Sequence, residues 1–396
     1  MNTMVSASRA DIEGKRVFLR VDFNVPVSGS KVLDDFKITS VMSTIRYIHS
    51  ADPKRIVIGS HFGRPNGKHV EELSLKPVYD VLKKIVLDEF GAELFFCEMS
   101  DLSGVGHTWV LLENLRFYEA EESSGDEAAC AEYRRLFTNS MDVAIIDSFG
   151  CLHRECGSIQ RTGLRSFPGV FMQKELEFAE SLLQRDVDVM ILGGKKVSDK
   201  SKLLMSLGRR AKCLIILGGL SYPFLKYRLH KEVGNSIVDD VSESTIQMIC
   251  DVLDSNQTEV ILPIDFVVVD KGKAQIMNEI PSSGCGLDIG PATIRLVQER
   301  VSMAESVFWN GPPGVFEQHG LSDGTRALVG ILESMKTNGK RCLCGGGETS
   351  AAIRMFGKYE SFTHVSTGGG VLMKFLSGED LPGLEFLMHQ PYALNI

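Results

Sequence analysis

The stretch "VDVMILGG" (187–194) is apolar at every position but one until it reaches two glycines. So short and apolar a run predicts a strand buried on both faces, as in a parallel sheet. The same reading covers "RVFLRVDF" (16–23), "RIVIGS" (55–60), "ELFFCE" (93–98), "WVLLENL" (109–115) and "DVAIIDS" (142–148) upstream. Downstream it covers "CLIILGG" (213–219), "VILPIDFVVV" (260–269), "SVFWNG" (306–311), "RCLCGGG" (341–347) and "FTHVSTGGG" (362–370). Helix-like segments alternate with these runs. In "SLKPVYDVLKKIVLDEF" (74–90), Ser74 is the expected N-cap, Pro77 falls in the first turn, and Val78, Val81, Leu82, Ile85 and Val86 follow helical spacing. "MQKELEFAESLLQR" (172–185) is a second strong helix near mid-chain. Alternating strands and helices over 396 residues, too many for one ordinary core, predict an α/β fold with two sheets.

A net charge of −8 argues against general nucleic-acid or membrane-surface binding. No apolar stretch approaches the ~20 residues needed to span a bilayer. The N-terminal "MNTMVSASRADIEGK" lacks a signal-peptide core, so a cytoplasmic location is expected. Nine cysteines, an odd number and scattered, read as reduced thiols. Cys151/His153/Cys156 and Cys342/Cys344 lack a standard paired zinc spacing and read as small buried residues. The acidic run "YEAEESSGDEAA" (118–129) is expected to be a solvated surface stretch.

Ligands of open parallel sheets bind beyond the carboxyl ends of the strands. In the first half those ends carry Asp22 and Asn24, His61 and Arg64, Asn114 and Arg116, then Gly150, His153 and Arg154. Arginines grip carboxylate and phosphate through paired hydrogen bonds, so this set suits a small, highly anionic ligand. A single arginine would read as a surface salt bridge, but the theme repeats at four strand ends. The second half ends its strands in glycine instead: Gly193–Gly194, Gly218–Gly219, Gly311, Gly345–Gly347 and Gly368–Gly370. Glycine lets backbone N–H groups approach phosphate, and "GGGETSAAIRMF" (345–356) reads as a helix start with Thr349 and Ser350 in its first turn. No Walker A pattern is present, and no GxGxxG follows the first strand of either half, which counts against a nicotinamide dehydrogenase. A small anion on one half and a nucleotide on the other predict phosphoryl transfer across a cleft between two domains.

At this point the motifs resemble the phosphoglycerate kinase family. "RVDFNVP" (20–26), "SHFGRP" (60–65), "LLENLRF" (111–117), "DSFGCLHR" (147–154), "ILGGKKVSDK" (191–200), "GLDIGP" (286–291), "WNGPPGVFE" (309–317), "GGGETSAA" (345–352) and "HVSTGGG" (364–370) carry the resemblance in family order along essentially the whole chain. It implies reversible transfer of a phosphoryl group from 1,3-bisphosphoglycerate to ADP, giving 3-phosphoglycerate and ATP, with Mg2+, in a monomer. It implies two Rossmann-like three-layer domains with parallel sheets: residues 1–170 for phosphoglycerate, a linker helix at 171–186, and 187–381 for nucleotide, with the tail 382–396 returning to the first domain. Asp22, Asn24, Lys37, His61, Arg64, Arg116, His153 and Arg154 would hold phosphoglycerate. Gly194, Lys196, Lys200, Gly219, Leu287, Asn310, Val315, Glu317, Gly347, Glu348 and Thr349 would line the nucleotide site, with Glu348 facing nucleotide-bound Mg2+. Lys37, Lys196, Gly346 and Gly369 are the positions implied in catalysis.

Three departures from the family pattern stand out. Lys37 occupies the position of a family arginine, keeping the charge but losing the planar fork. Glu348 stands where the family has aspartate. Leu217, Pro223 and Gly284 replace a glycine, a threonine and a tryptophan, and are expected to alter the adenine-side wall. The first two leave open a catalytically weakened homologue that acts by binding. A helix starting near Val197 would put Lys196 and Lys200 on one face and turn Lys195 toward solvent.

Overall fold

The computed structural model describes residues 6–122, 126–184, 187–198, 200–238 and 241–390. The chain divides into two compact units, Met1–Glu177 with Asp380–Ile396, and Phe178–Glu379. The division falls within the helix Val170–Gln184. The last residues, 391–396, lie outside the described residues, as do 185–186 of the expected linker.

The first unit contains β1 (Arg16–Val21), the hairpin strands β2 (Val27–Ser28) and β3 (Lys31–Val32), β4 (Arg55–Gly59), β5 (Leu94–Cys97), β6 (Trp109–Leu112), β7 (Val143–Asp147) and β8 (Arg165–Pro168). Six of these form one sheet in the order β5-β6-β4-β1-β7-β8, parallel throughout. Burial on both faces explains their apolar runs: β6 and β7 are buried at every position. The helix Lys76–Phe90 packs Val78, Leu82 and Val86 into the core at 1% exposure or less. The N-cap is Leu75 instead of the expected Ser74, whose hydroxyl one residue earlier accepts the Lys76 N–H at 3.2 Å, and Gly91 ends the helix with φ +61°. The helix Pro382–Met388 belongs to this unit, with the Gly383 N–H donating to Leu152 O at 3.0 Å.

The second unit contains β9 (Val187–Leu192), β10 (Ala211–Ile216), β11 (Glu259–Ile261), β12 (Phe266–Asp270), β13 (Lys273–Met277), β14 (Cys285–Ile289), β15 (Ser306–Asn310), β16 (Arg341–Gly345) and β17 (His364–Ser366). Its main sheet runs β11-β10-β9-β15-β16-β17, again all parallel. Ranked by sequence within the sheet this is 3-2-1-4-5-6, the Rossmann order, with the switch point between β9 and β15. Both units are therefore Rossmann-like α/β layers. The run 260–269, read as one strand, is two: Pro263 separates β11 in the parallel sheet from β12, which joins an antiparallel sheet ordered β13-β12-β14. Proline cannot donate to a ladder, so the break falls there.

Candidate functional site

In the first unit, β1 delivers Asp22 and β4 delivers His61 to adjacent strand ends, because the two strands pair in register from Arg16↔Arg55 to Arg20↔Gly59. The short helix Phe36–Ser40 brings Lys37 over them. Its Nζ donates to Asp22 Oδ2 at 2.8 Å, while Asp22 Oδ1 accepts the Asn24 N–H at 3.1 Å. Burial alone would raise the Asp22 carboxyl; the charge and hydrogen bond of Lys37 overcome it and hold the group well below the usual carboxylate range. The same pairing raises Lys37 against the opposing effect of its own burial.

His61 is 6% exposed, and its burial, reinforced by Arg20, Arg116 and Lys37, keeps it neutral. Arg20 Nη2 lies 3.4 Å from His61 Nδ1. Arginine can only donate, so Nδ1 is the acceptor and Nε2 carries the proton, 3.9 Å from Asp22 Oδ1. Arg116 is also buried: Nη1 donates to Gly63 O at 2.8 Å and Nε pairs with Glu122 at 2.8 Å. Asn114 shapes this corner, accepting the Phe62 and Arg116 N–H groups through Oδ1 and donating to Phe62 O through Nδ2. Asn24 Oδ1 accepts the Gly63 N–H. Arg64 is exposed and has no hydrogen bond or ion pair among the described residues. On the loop after β7, Arg154 Nε donates to His153 Nε2 at 2.8 Å.

Sequence reasoning missed Arg20, fully buried within β1 and paired with Glu121 at 3.3 Å. The available signal was a charge inside an otherwise apolar strand. Glu121 also accepts the Ser158 hydroxyl and N–H at 2.7 Å each. The acidic run expected to be solvated is therefore partly interior: Glu119–Glu122 is helical, Glu121 is 1% exposed, and Glu121 and Glu122 hold Arg20 and Arg116. Buried arginine recruits carboxylate because an unpaired charge there is costly. Residues 123–125 of that run lie outside the described residues.

In the second unit the glycines close on one another at the switch point. Gly193 N donates to Asn310 O and Gly194 N to Pro312 O, at 2.9 Å each. A Cβ at Gly219 would lie 2.5 Å from Lys195 O, so only glycine permits that approach. Gly346 has φ +113° and caps the helix Gly347–Phe356, and Gly369, opening the helix Gly369–Leu376, lies directly against its backbone. Asn310 Nδ2 donates to Gly345 O at 2.6 Å, and Thr349 Oγ1 accepts the Gly311 N–H at 2.8 Å. Val315 N donates to Leu287 O at 2.9 Å.

These loops enclose a cavity of about 290 Å³ lined by, among others, Gly194, Gly219, Leu287, Val315, Glu317 and Glu348. Lys195 lines it too, with its backbone beneath Gly219. Lys200 Nζ turns back to Gly193 O and, at 3.0 Å, to Asn310 O. The helix begins at Ser201 instead of Val197, so Lys196 sits on the preceding loop and shares no helix face with Lys200. The ties of Gly193 and Gly194 to the β15 loop hold this segment out of helix. Lys196 is exposed, without a hydrogen bond or ion pair among the described residues.

The expected change to the adenine-side wall also needs correcting. Leu217, Pro223 and Gly284 do not line the cavity; their neighbours Tyr222 and Cys285 do. Leu217 is fully buried, Pro223 lies inside the helix Ser221–Tyr227, and a Cβ at Gly284 would lie 2.7 Å from Val268 Cγ1.

The family model "Phosphoglycerate kinase" matches residues 7–379, through both units. The chain belongs to the phosphoglycerate kinase family. It is 35% identical to the phosphoglycerate kinase of Candida albicans, over 98% of this chain and 99% of that one. The relative from Komagataella pastoris is likewise 35% identical, with the same coverage of both. Among solved structures, phosphoglycerate kinase from Coxiella burnetii superposes with a TM-score of 0.80 at 29% identity, covering 98% of this chain and 99% of that one. The Pyrococcus horikoshii phosphoglycerate kinase gives 0.79 at 26% identity, covering 95% and 96%. Family membership thus spans the cationic strand ends of the first unit and the glycine-lined cavity of the second.

Proposed function

We propose that this chain is an active phosphoglycerate kinase, transferring a phosphoryl group reversibly between the carboxyl group of 3-phosphoglycerate and ADP/ATP. The observation that carries the reading is the Asp22–Lys37 ion pair beside His61 and Arg116. Lysine in place of the family arginine is held at the strand ends with its charge intact, which favours catalysis over binding alone.

Asp22, Asn24, Lys37, His61, Arg64, Arg116, His153 and Arg154 bind phosphoglycerate in this proposal. The nucleotide takes the cavity of the second unit, with Gly194, Gly219, Leu287, Val315 and Glu317 around the nucleoside, and Lys196, Lys200, Asn310 and Gly347–Thr349 near the phosphates. In the ATP-forming direction a β-phosphate oxygen of ADP attacks the acyl phosphorus, the acyl O–P bond breaks, and 3-phosphoglycerate leaves as a carboxylate. The acyl phosphate is already activated, so no covalent enzyme intermediate is needed, and the protein aligns the reactants and offsets charge on the migrating group. Lys37 and Lys196 supply cations for that charge, and the helix starts at Gly347 and Gly369 supply N–H groups. Mg2+ would be held by the nucleotide phosphates and Glu348, supplying further neutralisation of phosphate charge. Glu348 suits this role: it is an exposed carboxylate on the cavity wall, with Oε2 within 3.6 Å of the Cβ direction of Gly194 and beside Lys200. Direct transfer requires the two bound substrates to meet with water excluded.

A coupled assay of ATP formation from 1,3-bisphosphoglycerate and ADP tests the proposal. Turnover dependent on both substrates is expected; binding of 3-phosphoglycerate without turnover would favour the binding-protein alternative.

A further inference from the structure

Away from the residues assigned to substrate, the first unit gathers three metal-ligating side chains at one edge of its sheet. β5 and β6 pair in register up to Cys97↔Leu112, so the next residues, Glu98 and Glu113, emerge side by side. His69, in the loop after β4, reaches over them. One ligand atom from each of the three lies within 4.8 Å of the others, and His69 Nε2 is 3.7 Å from Glu98 Oε1.

The surroundings orient these groups. Glu113 is 5% exposed, and its Oε1 accepts the Leu75 and Asn114 N–H groups at 2.8 and 2.7 Å. Among the described residues its Oε2 accepts only the Ser74 hydroxyl, at 2.6 Å, which leaves a lone pair available. The His69 ring lies against Phe117, with centroids 4.5 Å apart.

Charge supplies a separate observation. Elsewhere in this unit the buried Glu121 carboxylate meets Arg20. Among the described residues neither Glu98 nor Glu113 pairs with lysine or arginine, and nearby Lys76 is taken by Glu71 at 2.8 Å. A protonated His69 would offset only one of the two negative charges.

We propose that His69, Glu98 and Glu113 form a binding site for a divalent transition-metal ion of the Zn2+ class. One imidazole and two carboxylates favour such an ion over Mg2+, which prefers an all-oxygen shell. Metal–ligand bonds of about 2.0–2.2 Å in a tetrahedron set ligand atoms roughly 3.3–3.6 Å apart. The His69–Glu98 separation is already close to this, and exposed His69 is free to close the remainder by side-chain rotation. Water completes the coordination. The ion would tie the loop carrying His61 and Arg64 to the edge strand β5 and its neighbour β6.

The test uses chelator-treated full-length protein, without nucleotide or turnover, so its outcome is independent of the kinase reading. Zn2+ binding by calorimetry is compared for the wild type, His69→Ala and Glu98→Gln, together with the absorption spectrum of the Co2+ form. Each variant should bind Zn2+ at least about tenfold more weakly. The Co2+ form should show ligand-field bands without a thiolate charge-transfer band. Zn2+ should raise the thermal midpoint of the wild type more than that of either variant, while the metal-free midpoint of His69→Ala, a change at an exposed residue, should match wild type. Equal affinity in all three proteins, a thiolate band, or no saturable Zn2+ binding by the wild type would overturn the proposal.

Discussion

The two units put opposite materials at their strand ends. In the first, side chains hold one another: Lys37 on Asp22, Arg20 on His61 and Glu121, Arg116 on Glu122 and Gly63. In the second, backbone meets backbone, Gly193 against the β15 loop, Gly219 against Lys195, Gly369 against Gly346. A side-chain site should tolerate replacement where charge and reach survive, and position 37 tests this. A backbone site does not tolerate even one added carbon, because a peptide cannot swing aside as a lysine can.

The largest effect should therefore come from the smallest change. Gly369→Ala places a Cβ against Gly346, within 2.9 Å of its nitrogen. Turnover should fall on the order of 10²-fold while circular dichroism stays native, since ångström-scale displacement of catalytic groups costs that much. Near-normal turnover would break the contrast.

Arg116→Ala tests the other side. Removing a buried, charge-paired arginine should cost about 2 kcal/mol of phosphoglycerate binding, roughly 30-fold in KM for 3-phosphoglycerate, with KM for ATP unchanged. Equal losses for both substrates would mean that the damage is general. Lys37→Arg should restore the planar fork and raise kcat several-fold without moving nucleotide affinity, read by steady-state kinetics and direct ATP titration. Unchanged or lower kcat would show that Lys37 has its own optimised arrangement.

The smallest effect concerns a feature that both units share. Burial raises Asp147 in the first unit and Asp288 in the second from 3.8 to about 7. A carboxyl with a raised folded pKa binds its proton more tightly in the folded state between those values. Its contribution is therefore complete at low pH and is lost as pH rises from about 4 to 7. Asp147→Asn should flatten that part of the stability–pH curve in denaturant titrations, and an unchanged slope would remove Asp147 as its source. Its Oδ1 accepts the Met172 N–H at 2.7 Å, an interaction the amide oxygen of asparagine can keep.

Much of this was legible in the chain because burial on two faces forces a strand to be apolar throughout. Apolar runs such as 187–194 announced both parallel sheets, and the charged or glycine residues just past them marked the two candidate sites. Pairs distant in sequence were not legible. Arg20 looked like an exception within a strand, and Glu121 like part of a solvated acidic loop, until folding buried each against the other. Position 223 looked like a change in the nucleotide wall, yet the helix turn presents Tyr222 to the cavity instead.

The alternating architecture, the chemical character of each half and the family can be read from the chain alone, since these depend on residue type and local order. Tertiary structure decided which charges are paired, which glycines are irreplaceable and where His69, Glu98 and Glu113 meet. Coulombic pairing and steric exclusion act over a few ångströms, and only folding brings residues far apart in the chain within that range.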